Sequence, residues 1–224
     1  MKKKRILALF LAAVSCLSLA VSASAAGTTT RKATDFKDYD RTAWYAEAVS
    51  AAVDNGLLYG KSSMIIDPNG DMTRAEMAAI INRSFGCYAK ADISKYKDVS
   101  KDKWYFEDVA MAVQMGTYNG RSNTAMAPDA PITRQEAMTV VARALALDYD
   151  SYSKTELTQF SDAGKVSTWA LPYVRAMVGA DYIHGRGKIL APQDNITRAE
   201  FAQIFANIIG TYIVSKGTYD KDIK

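Results

Sequence analysis

Apolar residues recur at helical spacing in six short stretches of the chain, and the stretches fall into three pairs. In the first member of each pair the apolar positions are Val49, Ala52 and Val53; Val109, Ala112 and Val113; and Val174, Met177 and Val178. Each set lies five, eight and nine residues beyond a tryptophan, Trp44, Trp104 or Trp169. Such spacing lays one stripe along one face of a helix that begins at the tryptophan. The second members carry Met77, Ile80, Ile81 and Phe85; Ala137, Val140, Val141 and Leu145; and Phe201, Ile204, Phe205 and Ile209, and are one-faced as well. Between the members, Gly56 and Gly116 stand where a left-handed helix end belongs. A second glycine follows sixteen residues after each tryptophan (Gly60, Gly120, Gly185), then a loop with Pro68, Pro128 or Pro192. These residues stop the first helix and turn the chain. A lone helical hairpin cannot bury such a stripe by itself, so the three hairpins are expected to pack together as an all-α repeat protein.

The repeat is also written in individual residues. The segments "FKDYDRTAWYAEAV", "YKDVSKDKWYFEDV" and "FSDAGKVSTWALPYV" each open on an aromatic residue followed by an aspartate, Asp38, Asp98 or Asp162. The second helices open with "DMTRAE", "PITRQE" and "NITRAE", whose Thr falls 29, 29 and 28 residues after the tryptophan. Thr at an N-cap accepts from the amide of the third helical residue, and Glu at that third position reaches back to the N-cap amide. Thr73 with Glu76, Thr133 with Glu136 and Thr197 with Glu200 therefore read as helix starts.

Arg74, Arg134 and Arg198 do not follow from capping. They occupy the first helical position, where free amides and the macrodipole already present positive charge, so an anion should compensate each one. Either the anion is a carboxylate of the same fold, for instance Asp38, Asp98 or Asp162, or it belongs to a ligand held by Arg and the helix-start amides. Arg83 and Arg143 lie in last turns, where the dipole favours a cation, and need no functional reading. Trp44, Trp104 and Trp169 divide between core residues and platforms for a sugar ring; Tyr45 and Tyr105 flank the first two, but Ala170 the third. Gly60, Gly120 and Gly185 are either turn residues or places where a ligand approaches the backbone.

Composition changes the picture chiefly at the start of the chain. Residues 1–25, "MKKKRILALFLAAVSCLSLAVSASA", have the basic head, apolar middle and small-residue end of a secretory signal peptide, with lipoprotein-type processing at Cys16 as the rival. Nothing downstream approaches the roughly 20 apolar residues of a membrane span, so an integral membrane protein is not expected. The 28 Lys and Arg exceed the 24 Asp and Glu by four, and Lys2, Lys3, Lys4 and Arg5 account for that excess. The exported protein is then neutral, which disfavours nucleic acid or any polyanion held by a diffuse basic field. Cys87 is left as the one thiol, so no intrachain disulfide is expected, and His184 is the one histidine. With the repeated acids assigned to caps and turns, no cofactor, metal or catalytic set is expected. A wall-glycan hydrolase working through paired carboxylates is the enzyme alternative.

The Phe/Tyr-x-Asp opening, the Trp-Tyr or Trp-Ala start, the first helix ending in glycine and the Thr-Arg-Ala-Glu helix start resemble the S-layer homology (SLH) repeats of bacterial surface proteins. The resemblance spans about residues 36–210 in three co-linear copies. It implies three helix-loop-helix repeats closed into a pseudo-threefold bundle, with three helices at the centre and grooves between neighbouring units. The corresponding boundaries are a signal peptide at 1–25, a flexible segment at 26–35, repeats at 36–87, 96–147 and 160–211, and a tail at 212–224. It implies non-covalent attachment to the wall outside the cell through secondary cell-wall polysaccharide, commonly pyruvylated.

Carried over by motif, Arg74, Arg134 and Arg198 would contact the pyruvyl carboxylate. The three tryptophans with Gly60, Gly120 and Gly185 would line the grooves, with Asp38, Asp98 and Asp162 nearby. Unit three departs most, having Ala170 for Tyr, Asp181 for the capping glycine and one residue fewer before its Thr, so its groove is expected to be the weakest. Direct binding to peptidoglycan, and a helical array that recruits a surface protein, are the alternatives. An array of that kind would gather exposed apolar anchors in one place rather than repeat the same Arg and Trp three times.

Overall fold

The computed structural model describes residues 31–209, so the leader at 1–25 and the tail at 212–224 lie outside the described residues. Six α-helices appear among them: α1 (Ala46–Asp54), α2 (Arg74–Phe85), α3 (Phe106–Gln114), α4 (Arg134–Ala144), α5 (Leu171–Gly179) and α6 (Arg198–Ile209). The described residues contain isolated bridges but no strand. The fold is all-α.

The first helix of each unit is nine residues long and begins two residues after its tryptophan, with Tyr45, Tyr105 or Ala170 at the N-cap. The sequence pattern placed that start at the tryptophan itself. The difference arises because the tryptophan and its successor are used in a turn, closed by Ala46 N–H donating to Ala43 O and Phe106 N–H to Lys103 O, both at 3.0 Å. Helices this short are marginal alone, so burial must hold them. Val49, Ala112, Val174 and Met177 are completely buried or nearly so. Gly56 and Gly116 end α1 and α3 with φ of +67° and +72°, while in unit three the non-glycine Asp181 takes the same left-handed conformation at +65°.

The second helices begin at the Arg, with Thr73 and Thr133 as N-caps in reciprocal capping boxes with Glu76 and Glu136. The same pair of bonds joins Thr197 and Glu200, at 3.0 and 3.2 Å. Their stripes form the core, with Met77, Ile81, Ala137 and Val141 having no exposure and Phe201 and Phe205 nearly none. Burying a side chain of this size contributes about 1.5–3 kcal/mol.

Pairing of helices crosses the units. Helix α2 packs on α3, α4 on α5, and α6 on α1, so each unit offers its second helix to the first helix of another and the pattern returns to unit one. The segments just before the second helices are joined in the same cyclic order by main-chain bonds. Met72 N–H donates to Ile196 O, Ile196 N–H to Ile132 O and Ile132 N–H to Met72 O, each at 3.0 Å. These three side chains are fully buried, and the ring satisfies main-chain groups that would otherwise be orphaned in the core.

Residues 33–35 were expected to belong to a flexible segment at 26–35, but they form a 3-10 turn with Ala33 fully buried and packed towards α1. The longer connector at 148–159 also contributes structure, a 3-10 turn at Tyr149–Tyr152 that packs on α5. Gly179 of α5 leaves no room for a Cβ beside Thr155 and Tyr152, which explains a glycine inside that helix.

Candidate functional site

Asp38, Asp98 and Asp162 act inside their own units. Each carboxylate accepts two backbone amides from the loop before the second helix: Ile66 and Asp67 at 2.9 and 2.7 Å, Met126 and Ala127 at 2.9 and 2.6 Å, Leu190 and Ala191 at 2.8 and 2.8 Å. Asp67, Ala127 and Ala191 all have positive φ, near +50°, immediately before a proline. The aspartate thus holds a strained turn that aims the chain into the next helix. Burial alone would raise Asp162; the amides of Leu190 and Ala191 overcome it and hold the carboxyl below its ordinary value.

Arg74, Arg134 and Arg198 are buried, with 5%, 4% and 2% exposure. Each reaches into the neighbouring unit. Their Nε atoms donate at 2.9 Å to the carbonyls of Met126, Leu190 and Ile66 respectively. Their Nη1 atoms meet Glu136 at 3.4 Å, Glu200 at 3.1 Å and Glu76 at 3.5 Å. Arg74 Nη2 also donates to Asn119 O at 3.0 Å, and Arg198 Nη2 to Tyr59 O. The anion that the helix-start Arg calls for is therefore present in the fold, and it is the capping-box Glu of another unit rather than Asp38, Asp98 or Asp162. Burial pushes Arg134 and Arg198 below the ordinary Arg value, opposed by the charges of Glu200 and Glu76. Glu200 would be raised by burial, but hydrogen bonds from Arg186 and the Thr197 amide, with the Arg134 charge, hold it below its ordinary value.

A second cation meets each of these glutamates. Lys61 pairs with Glu76, Arg121 Nη2 with Glu136 at 3.3 Å, and Arg186 Nε with Glu200 at 2.6 Å. Sequence reasoning passed over these residues, although a signal was there: a basic residue directly follows Gly60, Gly120 and Gly185 in all three units. Their side chains are 33%, 42% and 42% exposed, whereas the first-position Arg side chains are 3–5% exposed. Each contact between units accordingly has a deep guanidinium, a glutamate beside it and an outward cation nearer the solvent.

The tryptophans stand on the surface: Trp44 is 63% exposed, Trp104 62% and Trp169 51%. Trp44 and Trp104 pack edge-on against Tyr45 and Tyr105 with ring centres 5.5 and 5.4 Å apart. Tyr105 donates its hydroxyl to Asp129 at 2.9 Å, and burial with that bond raises it to about 12. Asp129 neighbours Ala130, whose carbonyl accepts the Arg74 amide at 3.0 Å. One tyrosine and one loop thus link Trp104 to the start of the helix that carries Arg74. In unit three, where Ala170 replaces Tyr, Gln193 bonds Lys165 O at 2.9 Å and Gln135 at 3.2 Å instead.

Gly60, Gly120 and Gly185 are explained by packing. A Cβ there would meet the ring of Phe36, Tyr96 or Phe160 and lie 2.7–2.8 Å from the carbonyl of Ile65, Ala125 or Ile189. The glycine and the aromatic that opens each unit are partners, and they place the rim cation that follows.

Residue 184 borders an open cleft of about 570 Å³ lined by Thr158, Gln159, Phe160, Ser161, His184, Gly187 and Lys188. His184 itself is exposed and meets Asp181 at 3.2 Å. Burial raises the Cys87 thiol above its ordinary value, the opposite of what an activated nucleophile needs. Among the described residues no group of three or more His, Cys, Asp or Glu is arranged for a metal, and no helix is long and apolar enough to cross a membrane.

A family model described as the S-layer homology domain matches residues 35–78, 95–138 and 159–202. The chain is 34% identical over 182 residues to the surface-layer 125 kDa protein of Lysinibacillus sphaericus, a match covering 79% of this chain and 15% of that protein. It is 24% identical over 171 residues to the S-layer protein sap of Bacillus anthracis, covering 76% and 21%. It is also 24% identical over 210 residues to an endoglucanase of Bacillus sp. strain KSM-635, covering 92% and 22%. The chain therefore spans less than a quarter of each of these relatives.

Proposed function

Because the chain belongs to the S-layer homology family, whose modules anchor proteins to the bacterial cell wall, we propose that it is a non-enzymatic wall anchor that holds an anionic wall glycan in its inter-unit grooves. The glycan class that fits is a polysaccharide bearing carboxylates on sugar rings, as a pyruvate ketal does. A wall-attached role at the cell surface agrees with relatives named as surface-layer and S-layer proteins. The endoglucanase name carries no catalysis here, since the match covers only 22% of that enzyme.

The observation that carries the reading is the charge of the grooves. Arg74 with Arg121 faces Glu136 alone among its ion-pair partners, and Arg198 with Lys61 faces Glu76 alone. Two cations share one carboxylate, and the outward cation has unused donors. A ligand carboxylate supplies the missing charge, bound locally and directionally, which suits a protein without a broad basic field. The exposed tryptophans offer a face to the sugar ring that carries the acid.

The test is sedimentation of the exported protein with purified walls before and after chemical removal of the attached polymer. Retention by intact walls and loss from stripped walls is the expected result. Equal retention by both would move the ligand to peptidoglycan, and retention by neither would favour a protein partner.

A further inference from the structure

The three sets of ion pairs between units are not equivalent, and one of them carries an additional acid. Arg186, the rim cation between units two and three, donates from Nε and Nη2 to the two oxygens of Glu200 at 2.6 and 3.1 Å, and from Nη1 to Asp194 Oδ2 at 2.9 Å. The positions matching Asp194 in the other units are Gly70 and Ala130, which carry no acid. Here two cations face two carboxylates, whereas the other ion-paired sets have two cations and one carboxylate.

The backbone around Arg186 differs as well. Gly187 and Lys188 form a two-residue turn closed by Arg186 N–H donating to Ile189 O at 2.7 Å. In the other units the corresponding bond starts one residue later, from Ser62 to Ile65 O and from Ser122 to Ala125 O, at 3.3 and 3.2 Å. This is where the missing residue of unit three lies. The turn of unit three thus begins at the rim cation itself, which there lies in contact with both acids.

We propose that Asp194 is a built-in carboxylate that takes the ligand's place at the rim of the groove between units two and three, leaving the other two grooves to hold the wall glycan. The inference rests on the groove reading above and names its selectivity. A ligand carboxylate entering this groove must displace Asp194 from Arg186 and then lie beside two acids. The main chain at 194 does separate work: its carbonyl accepts the Arg134 amide at 2.8 Å, so truncating the side chain leaves the fold intact. Both partners are also well exposed, at 42% and 60% of their side chains, so the pair itself adds little to stability.

The experiment is calorimetric titration of the exported protein with a methyl hexopyranoside bearing a 4,6-linked pyruvate ketal, with thermal melts to confirm folding. The expected result is two sites in the natural protein, the third at least tenfold weaker. Asp194→Ala, which restores the side chain found in unit two, raises the count to three, and Ala130→Asp lowers it to one. Three equal sites in the natural protein, or two sites persisting in Asp194→Ala, would overturn the role of Asp194 while leaving the groove reading in place. Absence of binding in all folded variants would remove the groove reading, and this inference with it.

Discussion

Arg134 illustrates how a single residue can serve two purposes that sequence alone does not separate. Its unfavourable place at a helix start was legible, because the dipole argument needs only the position within the Thr-Arg-x-Glu string. Its partner was not: Glu200 lies in another unit, and no local spacing points to it. What the burial of the guanidinium adds is a stability role. Arg134→Ala is expected to cost about 1–3 kcal/mol in urea unfolding, because it leaves the buried Leu190 carbonyl without its donor, while Glu200 keeps its pair with Arg186. Arg121→Ala removes a rim cation with one bond to Glu136 and one to Pro131 O. It should cost under about 1 kcal/mol and weaken retention by polymer-bearing walls several-fold. If Arg121→Ala lowers stability as much as Arg134→Ala, the division into floor and rim is wrong. The tryptophans show the opposite kind of ambiguity, since an aromatic at the head of an apolar stripe suggests core first and a platform second. The turn that ends just after each one puts it outside the helix, and on the surface.

At the scale of the helix, the capping box turns out to be more than a local device. Thr133 and Glu136 satisfy each other's amides, which the string itself announces, but Glu136 also accepts from Arg74 and Arg121. A plain capping box predicts comparable losses for the two residues. Here Thr133→Ala should cost about 1 kcal/mol, and Glu136→Ala should cost clearly more, because it leaves the buried Arg74 without its counter-ion. Chemical denaturation of the two variants at neutral pH decides the matter, and equal losses would reduce the glutamate to a cap. The centres of the helical stripes, such as Val49, Val141 and Phe205, were readable because period and burial share a cause, whereas Phe85, Val113, Val178 and Ile209 at their ends are only partly buried. The first-helix starts were not, since a tight turn and a first helical turn differ by one hydrogen-bond register.

Across the whole molecule, the unit length and number followed from self-comparison, while the order of pairing did not. A hairpin repeat is compatible with an open stack, in which units one and three never meet, and with a cycle. The contacts of α6 with α1, and the bond from Arg198 Nε to Ile66 O, belong to a cycle. An open stack tolerates loss of an end unit, whereas here removing residues 160–209 would expose the α1 face that α6 covers, with Ala52, Leu57 and Leu58 losing Phe201 and Phe205 beside them. Such a truncation is expected to lose cooperative thermal unfolding altogether, not merely to melt a little earlier. A sharp transition in the two-unit fragment would argue for independent hairpins.

The main-chain ring through Met72, Ile132 and Ile196 has a further consequence. Each unit is a donor to one neighbour and an acceptor from the other, so the contact between units three and one is of the same kind as the two contacts that the polypeptide happens to bridge. The covalent connectors at 87–95 and 148–159 are thus tethers between surfaces that already recognise one another. Read around the ring, the protein has a direction of travel but no intrinsic first unit.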